Sequence, residues 1–314
     1  MNLDPEIAAL LPALNRGFPR VETMTAPQLR AVIAERAVPL QNPEPVAKVI
    51  DRTVPGAAGD IAIRIYWPNE SFGLSDSLPV IVFAHGGGFV FCDLDSHDDL
   101  CRAMTNGVVA IVVAVDYRLA PESPWPAAVE DVCAVADWAA GQAADLGADP
   151  ARMVLAGDSA GGNLATVTAL LARDRGRPEI AGQLLVYPAI AADFGTESYR
   201  RFGDGYYNTT TAMAWYWDQY VPDPADRDHP TASPLQGDLA GLPSAVVITA
   251  GFDPLCSEGE AYAKNLAEAS VTTIYRNYAG AIHGFMTMPS LGICRQAREQ
   301  AWADVSALLS RSLE

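Results

Sequence analysis

The 314-residue sequence predicts an α/β fold, a mostly parallel, twisted sheet of about eight strands flanked by helices and carrying a helical cap. Three observations predict it. Strand-length apolar runs alternate with helix-length segments from Val80 onward. One such run, Met153 to Ala156, empties into Gly157-Asp158-Ser159-Ala160-Gly161-Gly162 just ahead of a helix-like stretch. Between Ala191 and Gly241 the alternation stops for roughly fifty residues, far beyond an ordinary loop.

Residues 1–45 are rich in Pro and Ala, with helix-length pieces at Asp4 to Leu14 and Ala26 to Ala37 and no convincing strand. From Val46 the pattern changes. Val46 to Val54 and Ile61 to Trp67 alternate as strands around Pro55-Gly56-Ala57-Ala58-Gly59, which predicts an antiparallel entry hairpin. Strands are then expected at Val80–Ala84, Val108–Val115, Met153–Ala156, Gln183–Pro188, Ala245–Ala250 and Thr272–Tyr278, with helices such as Pro126–Gln142 and Gly162–Arg173 between them. The interruption holds an aromatic helix candidate, Thr209 to Tyr220. The segmentation is therefore 1–45 ahead of the sheet, 46–190 as the first part of the core, 191–240 as an insertion that reads either as a cap, joined by 1–45, or as a peripheral aromatic helix packed on the core, and 241–314 as the rest of the core.

The serine motif carries the chemistry. A serine between glycines on a sharp strand-to-helix turn is held strained, with Oγ projecting over the sheet edge, a nucleophile elbow. Upstream, the run ending at Ala84 opens into His85-Gly86-Gly87-Gly88-Phe89, where residues without side chains leave backbone N–H groups free to approach a ligand. Downstream, one strand ends at Asp253 and another precedes His283. Ser159, Asp253 and His283 thus supply a nucleophile, an orienting acid and a base, while the N–H groups of Gly87, Gly88 and Ala160 are candidate oxyanion donors. Asp193 and Glu258 are rivals for the acid. Among the histidines, His85 is expected to order the glycine loop, His97 begins a polar helix and His229 sits in a solvated cap region. Phe89, Asp158, Trp215 and Phe285 are candidate pocket residues. Asp158 is expected to point away from Oγ and hold the loop rather than act as an acid. The opposite charges of Asp116 to Glu122 read as a structural ion-pair network near the glycine loop.

These motifs together, from His85-Gly86-Gly87-Gly88-Phe89 through Asp116 to Glu122, the serine elbow, Asp253 to Glu258 and His283-Gly284-Phe285, resemble the bacterial hormone-sensitive-lipase-like carboxylesterases. The resemblance covers residues from about 79 to the end and includes the chain order Ser…Asp…His of α/β-hydrolases. It implies that fold, with the 191–240 insertion lying over the active-site edge beside residues 1–45. It also implies hydrolysis of small neutral esters with short to medium acyl chains, without cofactor or metal, by a monomer or homodimer. Two departures concern pocket shape and local ion pairing: Ser123 stands where family members often carry His, and Cys256-Ser257 fills a pair usually charged. The same triad would serve an amidase or lactonase, and relatives of the fold include plant hormone receptors that have lost the catalytic histidine, which is present here as His283.

Composition bounds the partners. With 21 basic and 38 acidic residues the net charge is −17, which repels nucleic acid and anionic membrane surfaces. The N-terminus shows no basic region followed by an apolar run, and no stretch is long enough to span a membrane, so a soluble cytoplasmic protein without stable membrane association is expected. Five cysteines, an odd number without CxxC spacing, argue against a zinc site or disulfide framework. Cys92, close behind the glycine loop, reads either as a pocket residue or as a small buried hydrophobe.

Overall fold

The apolar runs form eight strands of a single sheet in the computed structural model, which describes residues 2–37, 41–69 and 77–311; positions 1, 38–40, 70–76 and 312–314 of the expected segments lie outside it. The strands are β1 (Lys48–Gly56), β2 (Gly59–Trp67), β3 (Leu78–Ala84), β4 (Ile111–Asp116), β5 (Ala148–Asp158), β6 (Gly182–Val186), β7 (Ser244–Phe252) and β8 (Thr273–Ile282), in the spatial order β1-β2-β4-β3-β5-β6-β7-β8. β1 and β2 form the expected hairpin, paired from Lys48 opposite Trp67 to Gly56 opposite Gly59. β2 runs antiparallel to β4, and every later pairing is parallel.

The central strands are apolar on both faces because both faces are covered. On β3, Val80, Val82 and Ala84 enter one core with Val132 of α4 (Ala127–Gly141), Leu164 of α6 (Ala160–Arg175) and Leu266 of α9 (Cys256–Glu268). Ile81 and Phe83, pointing the other way, join Leu100 and Met104 of α3 (Asp98–Val108), Ala301 and Val305 of α10 (Gly292–Arg311) and Ile7 of α1 (Pro5–Gly17). β5 splits likewise, Met153 and Leu155 against Val154 and Ala156. Each large apolar side chain buried this way contributes about 2 kcal/mol, so the two-residue period fixes the strand register. The short α5 (Ala143–Leu146) leads into β5.

Several strand ends differ from the expectation, β5 beginning at Ala148 and β8 running on to Ile282, and one difference changes the type of element. Val108 ends α3, and Val109 caps it in the left-handed conformation at φ 57°, so β4 starts only at Ile111. The apolar run misleads because Val108 is buried as the last residue of a helix, not as the first of a strand.

The segments outside the sheet meet one another. α1 begins at an Asp4 cap, and α2 (Ala26–Arg36) begins at a Thr25 capping box closed by Gln28. The long interruption contains α7 (Glu197–Phe202) and α8 (Thr210–Tyr220), the latter capped by Thr209. The Asn15 side chain of α1 donates to Gly205 O and accepts from Tyr207 N–H, and Phe18 packs edge-on against Tyr207 with ring centroids 5.2 Å apart. Arg30 of α2 reaches down to the carbonyls of Val90 and Ala120 and pairs with both carboxylate oxygens of Glu122. Among the described residues no helix is long and apolar enough to cross a membrane.

Candidate active site

The carboxyl ends of β3, β5, β7 and β8 converge on one edge of the sheet, where an open parallel sheet offers a crevice. Asp158 ends β5 and Ala160 opens α6, leaving Ser159 alone at the turn with φ 54° and ψ −118°. That conformation is costly for a residue with a Cβ, and its surroundings impose it: Ser159 N–H donates to Val186 O at 2.9 Å, and its carbonyl accepts from Asn163 and Ala189. The glycine at 161 is required by packing, since a Cβ there would run into the carbonyl of Ala84 on β3.

His283, just past β8, bridges the other two candidates. Its Nε2 lies 2.9 Å from Ser159 Oγ and its Nδ1 lies 2.7 Å from Asp253 Oδ2. Asp253 is fully buried, and its second oxygen accepts from Leu255 N–H at 2.9 Å, which fixes the rotation of the carboxylate. The rivals lie elsewhere. Asp193 accepts from Gly195 N–H in an exposed turn, and Glu258 is buried with Oε1 accepting from the N–H groups of Ile190 and Ala191. Burial pushes the Glu258 carboxyl well above the usual range, and its Oε1 serves as an acceptor for the loop that leaves β6. His229 is exposed and bonds Thr231.

The glycine loop passes in front of the serine. Gly87 and Gly88 have φ of +111° and +59°, and no described residue accepts from the N–H of Gly87, Gly88 or Ala160. Gly86 N–H donates to Asp158 Oδ1 at 2.8 Å, and His97 Nε2 lies 3.1 Å from the same oxygen. Burial works to raise the Asp158 carboxyl, but His97 and the Gly86 N–H outweigh it and hold the pKa below the ordinary value. His85 supports the loop from beneath, with Nδ1 2.7 Å from Gly86 O, its carbonyl accepting from Tyr117 OH, and its ring stacked on Tyr117 at 4.3 Å. Burial first, and then neighbouring His97, push its pKa down to about 4. The rest of the Asp116 to Glu122 segment pairs outward, Arg118 with Asp131 and Glu130, Glu122 with Arg30.

These groups open into a cavity of about 190 Å³. Ser159, His283, Gly87, Gly88 and Asp158 line it, with Ser96, His97 and Cys92 on one side and Phe18, Phe91, Tyr207, Met213 and Tyr216 facing them. Three expected pocket residues do not. Phe89, turned under the loop by its φ of +64°, stacks on Tyr220 at 3.6 Å. Trp215 lies off the stripe Ala212, Met213, Tyr216, Trp217 and Tyr220 that α8 buries, so its neighbour Tyr216 takes the position over Gly88. Phe285 is fully buried between Tyr187 and Tyr278. Helical period could have separated Tyr216 from Trp215, whereas nothing local marks Phe18 or Tyr207. Cys92 lines the cavity, but burial pushes its thiol up to about 12, so it is inert there.

A family model described as "alpha/beta hydrolase fold" matches residues 81–287. The chain is similar to the carboxylesterase NlhH of Mycobacterium tuberculosis, 40% identical over 291 residues, 90% of this chain and 89% of that protein. It is similar also to an ethyl acetate hydrolase of Pseudomonas putida, 33% identical over 303 residues, 93% of this chain and 94% of the relative. Among solved structures, a hyperthermophilic esterase from the archaeon Pyrobaculum calidifontis superposes with a TM-score of 0.89 at 38% identity, covering 98% of this chain and 99% of that one.

Proposed function

The chain belongs to the hormone-sensitive-lipase-like carboxylesterases of the α/β-hydrolase fold and is a serine carboxylic ester hydrolase; from that premise we propose that it cleaves small neutral esters with short to medium acyl chains through an acyl-enzyme on Ser159. The observation that carries this reading is the unbroken line from Ser159 Oγ to His283 to buried Asp253, at 2.9 Å and 2.7 Å.

His283 Nε2 takes the Oγ proton as Oγ attacks the acyl carbon. The N–H groups of Gly87, Gly88 and Ala160 receive the developing oxyanion, the last with the favourable N-terminal end of α6 behind it. Asp253, rotationally fixed by Leu255 N–H, stabilises the imidazolium and keeps Nδ1 protonated. His283 then protonates the leaving alkoxide, and water repeats the cycle on the acyl-enzyme. Asp158 and His85 hold the loop and take no part in proton transfer.

Residues 1–45 and 191–240 serve as a cap, and the reading rests on Phe18, Tyr207, Met213 and Tyr216 coming from those two segments to wall the cavity. A small cavity walled largely by aromatic side chains favours small monomeric esters over aggregated lipid. The five cysteines, all free thiols, fit a reducing compartment, and a cytoplasmic location is part of the proposal. The test is turnover of a chain-length series of p-nitrophenyl esters by the wild type and Ser159→Ala. We expect a short-to-medium optimum in the wild type and a loss on the order of 10⁶-fold in the variant. Retained turnover by folded Ser159→Ala would sink the assignment.

A further inference from the structure

Asp158 presents two oxygens in different situations. Oδ1 is taken up behind the glycine loop, accepting from Gly86 N–H and lying 3.1 Å from His97 Nε2. No described residue donates to Oδ2, which lies where a Cβ on residue 86 would come within 2.6 Å of it, room that glycine leaves open. The residue is only 4% exposed, and that exposure is to the cavity it lines. An ionised carboxylate has about four acceptor positions, and leaving a charged acceptor unmet in a low-dielectric site costs more than leaving a neutral one unmet. The molecule that fills the cavity is therefore the natural source of the missing donor.

Position narrows the donor. Asp158 directly precedes Ser159, and its loop partner Gly86 directly precedes Gly87, so the carboxylate flanks the place where an acyl carbon would sit between Oγ and the glycine N–H groups. A substituent near the carbonyl can reach it. The cavity is lined also by the polar Ser96, His97, Asn208 and Thr287 and by the aromatic Phe18, Tyr207 and Tyr216. The uncommitted oxygen needs one donor, and a hydroxyl beside an ester carbonyl brings one.

We propose that the enzyme selects esters whose acyl group carries a hydroxyl close to the carbonyl, the hydroxyl donating to Asp158 Oδ2 while the carbonyl oxygen lies against the glycine loop. This rests on the hydrolytic reading above and names its substrate class. Asp158 is then both the support of the loop, through Oδ1, and a specificity determinant, through Oδ2.

The experiment compares kcat/KM for methyl butyrate, the 2- and 3-hydroxybutyrates and the 2- and 3-methoxybutyrates by pH-stat titration. A methoxy group keeps the oxygen but cannot donate. The wild type should prefer one hydroxy ester over its methoxy partner by roughly ten- to a hundredfold, the scale of a hydrogen bond to a charged group. Asp158→Asn presents an amide that can place a donor at the Oδ2 position, so the same ratio should fall to one or below. Normalising each enzyme to its own butyrate rate removes any loss from a less well-held loop. A wild-type ratio near one for both isomers means that Oδ2 is served by water and overturns the proposal, whether or not the variant folds. A ratio unchanged in Asp158→Asn overturns it as well. Absence of turnover on all five esters would instead break the hydrolytic reading.

Discussion

The two walls of the cavity are built by opposite means. On the sheet side, position is imposed by backbone: Ser159, Gly87 and Gly88 sit at positive φ, and Asp253 and His283 stand at the ends of adjacent strands. On the side drawn from residues 1–45 and 191–240, Phe18, Tyr207, Met213 and Tyr216 are brought together mainly by a few hydrogen bonds and ring contacts between distant segments, with Tyr207 alone of the four at positive φ. The sheet wall determines what reaction occurs. The wall drawn from residues 1–45 and 191–240, together with Asp158 beside the serine, is expected to set which molecule undergoes it.

The strongest way to break that division is at the sheet wall. In Asp253→Asn, Leu255 N–H should hold the amide oxygen and turn the NH₂ toward His283 Nδ1, forcing the proton onto Nε2, where it cannot accept from Ser159. We expect kcat to fall by about 10⁴-fold with little change in KM or melting temperature. A loss under tenfold would return the acid role to another carboxylate.

A smaller effect separates support from chemistry. The folded His85 pKa of about 4 lies below its ordinary 6.5, so between those values the unfolded chain binds more protons. The contribution is fully present above pH 6.5 and is lost as pH falls toward 4, amounting to about 3 kcal/mol. His85→Asn should flatten the drop in melting temperature over that window relative to the wild type. Parallel curves would show that His85 does not stay neutral in the fold.

The smallest effect tests the cap wall. Tyr216→Ala removes the ring that crowds Gly88, where even a Cβ would come within 2.5 Å of it. The acyl-chain optimum should move toward longer chains, with about a tenfold loss on short esters, within the range of discrimination that one apolar contact gives. An unmoved optimum would mean that Tyr216 shapes the loop but not the pocket.

The same asymmetry explains what could be read from sequence. The elbow, the glycine loop and the ends of β7 and β8 are local motifs: each announces its backbone geometry within a few residues, so Ser159, Asp253 and His283 could be named before their distances were seen. The cap residues announce nothing, because Phe18 and Tyr207 become neighbours only through an Asn15 contact with no sequence signature. Trp215 was preferred for its size, but helix rotation gives the place to Tyr216. Phe89 and Phe285, each beside a functional glycine or histidine, were drawn in by proximity in sequence, although a positive φ in one case and a fully buried turn in the other send the rings into the core.

Asn15 and its neighbours also impose an order in time. Asp4 N–H bonds Gly280 O, Glu6 accepts from Gly292 N–H across 286 residues, and Asn15 bonds Gly205 and Tyr207. Asp4, Glu6 and Asn15 thus complete their contacts only after segments as far along as Gly292 have been made. A nascent chain can assemble strands as they emerge, but the wall that joins Phe18 to Tyr207 and Tyr216 cannot close over Ser159 until those later residues have been made.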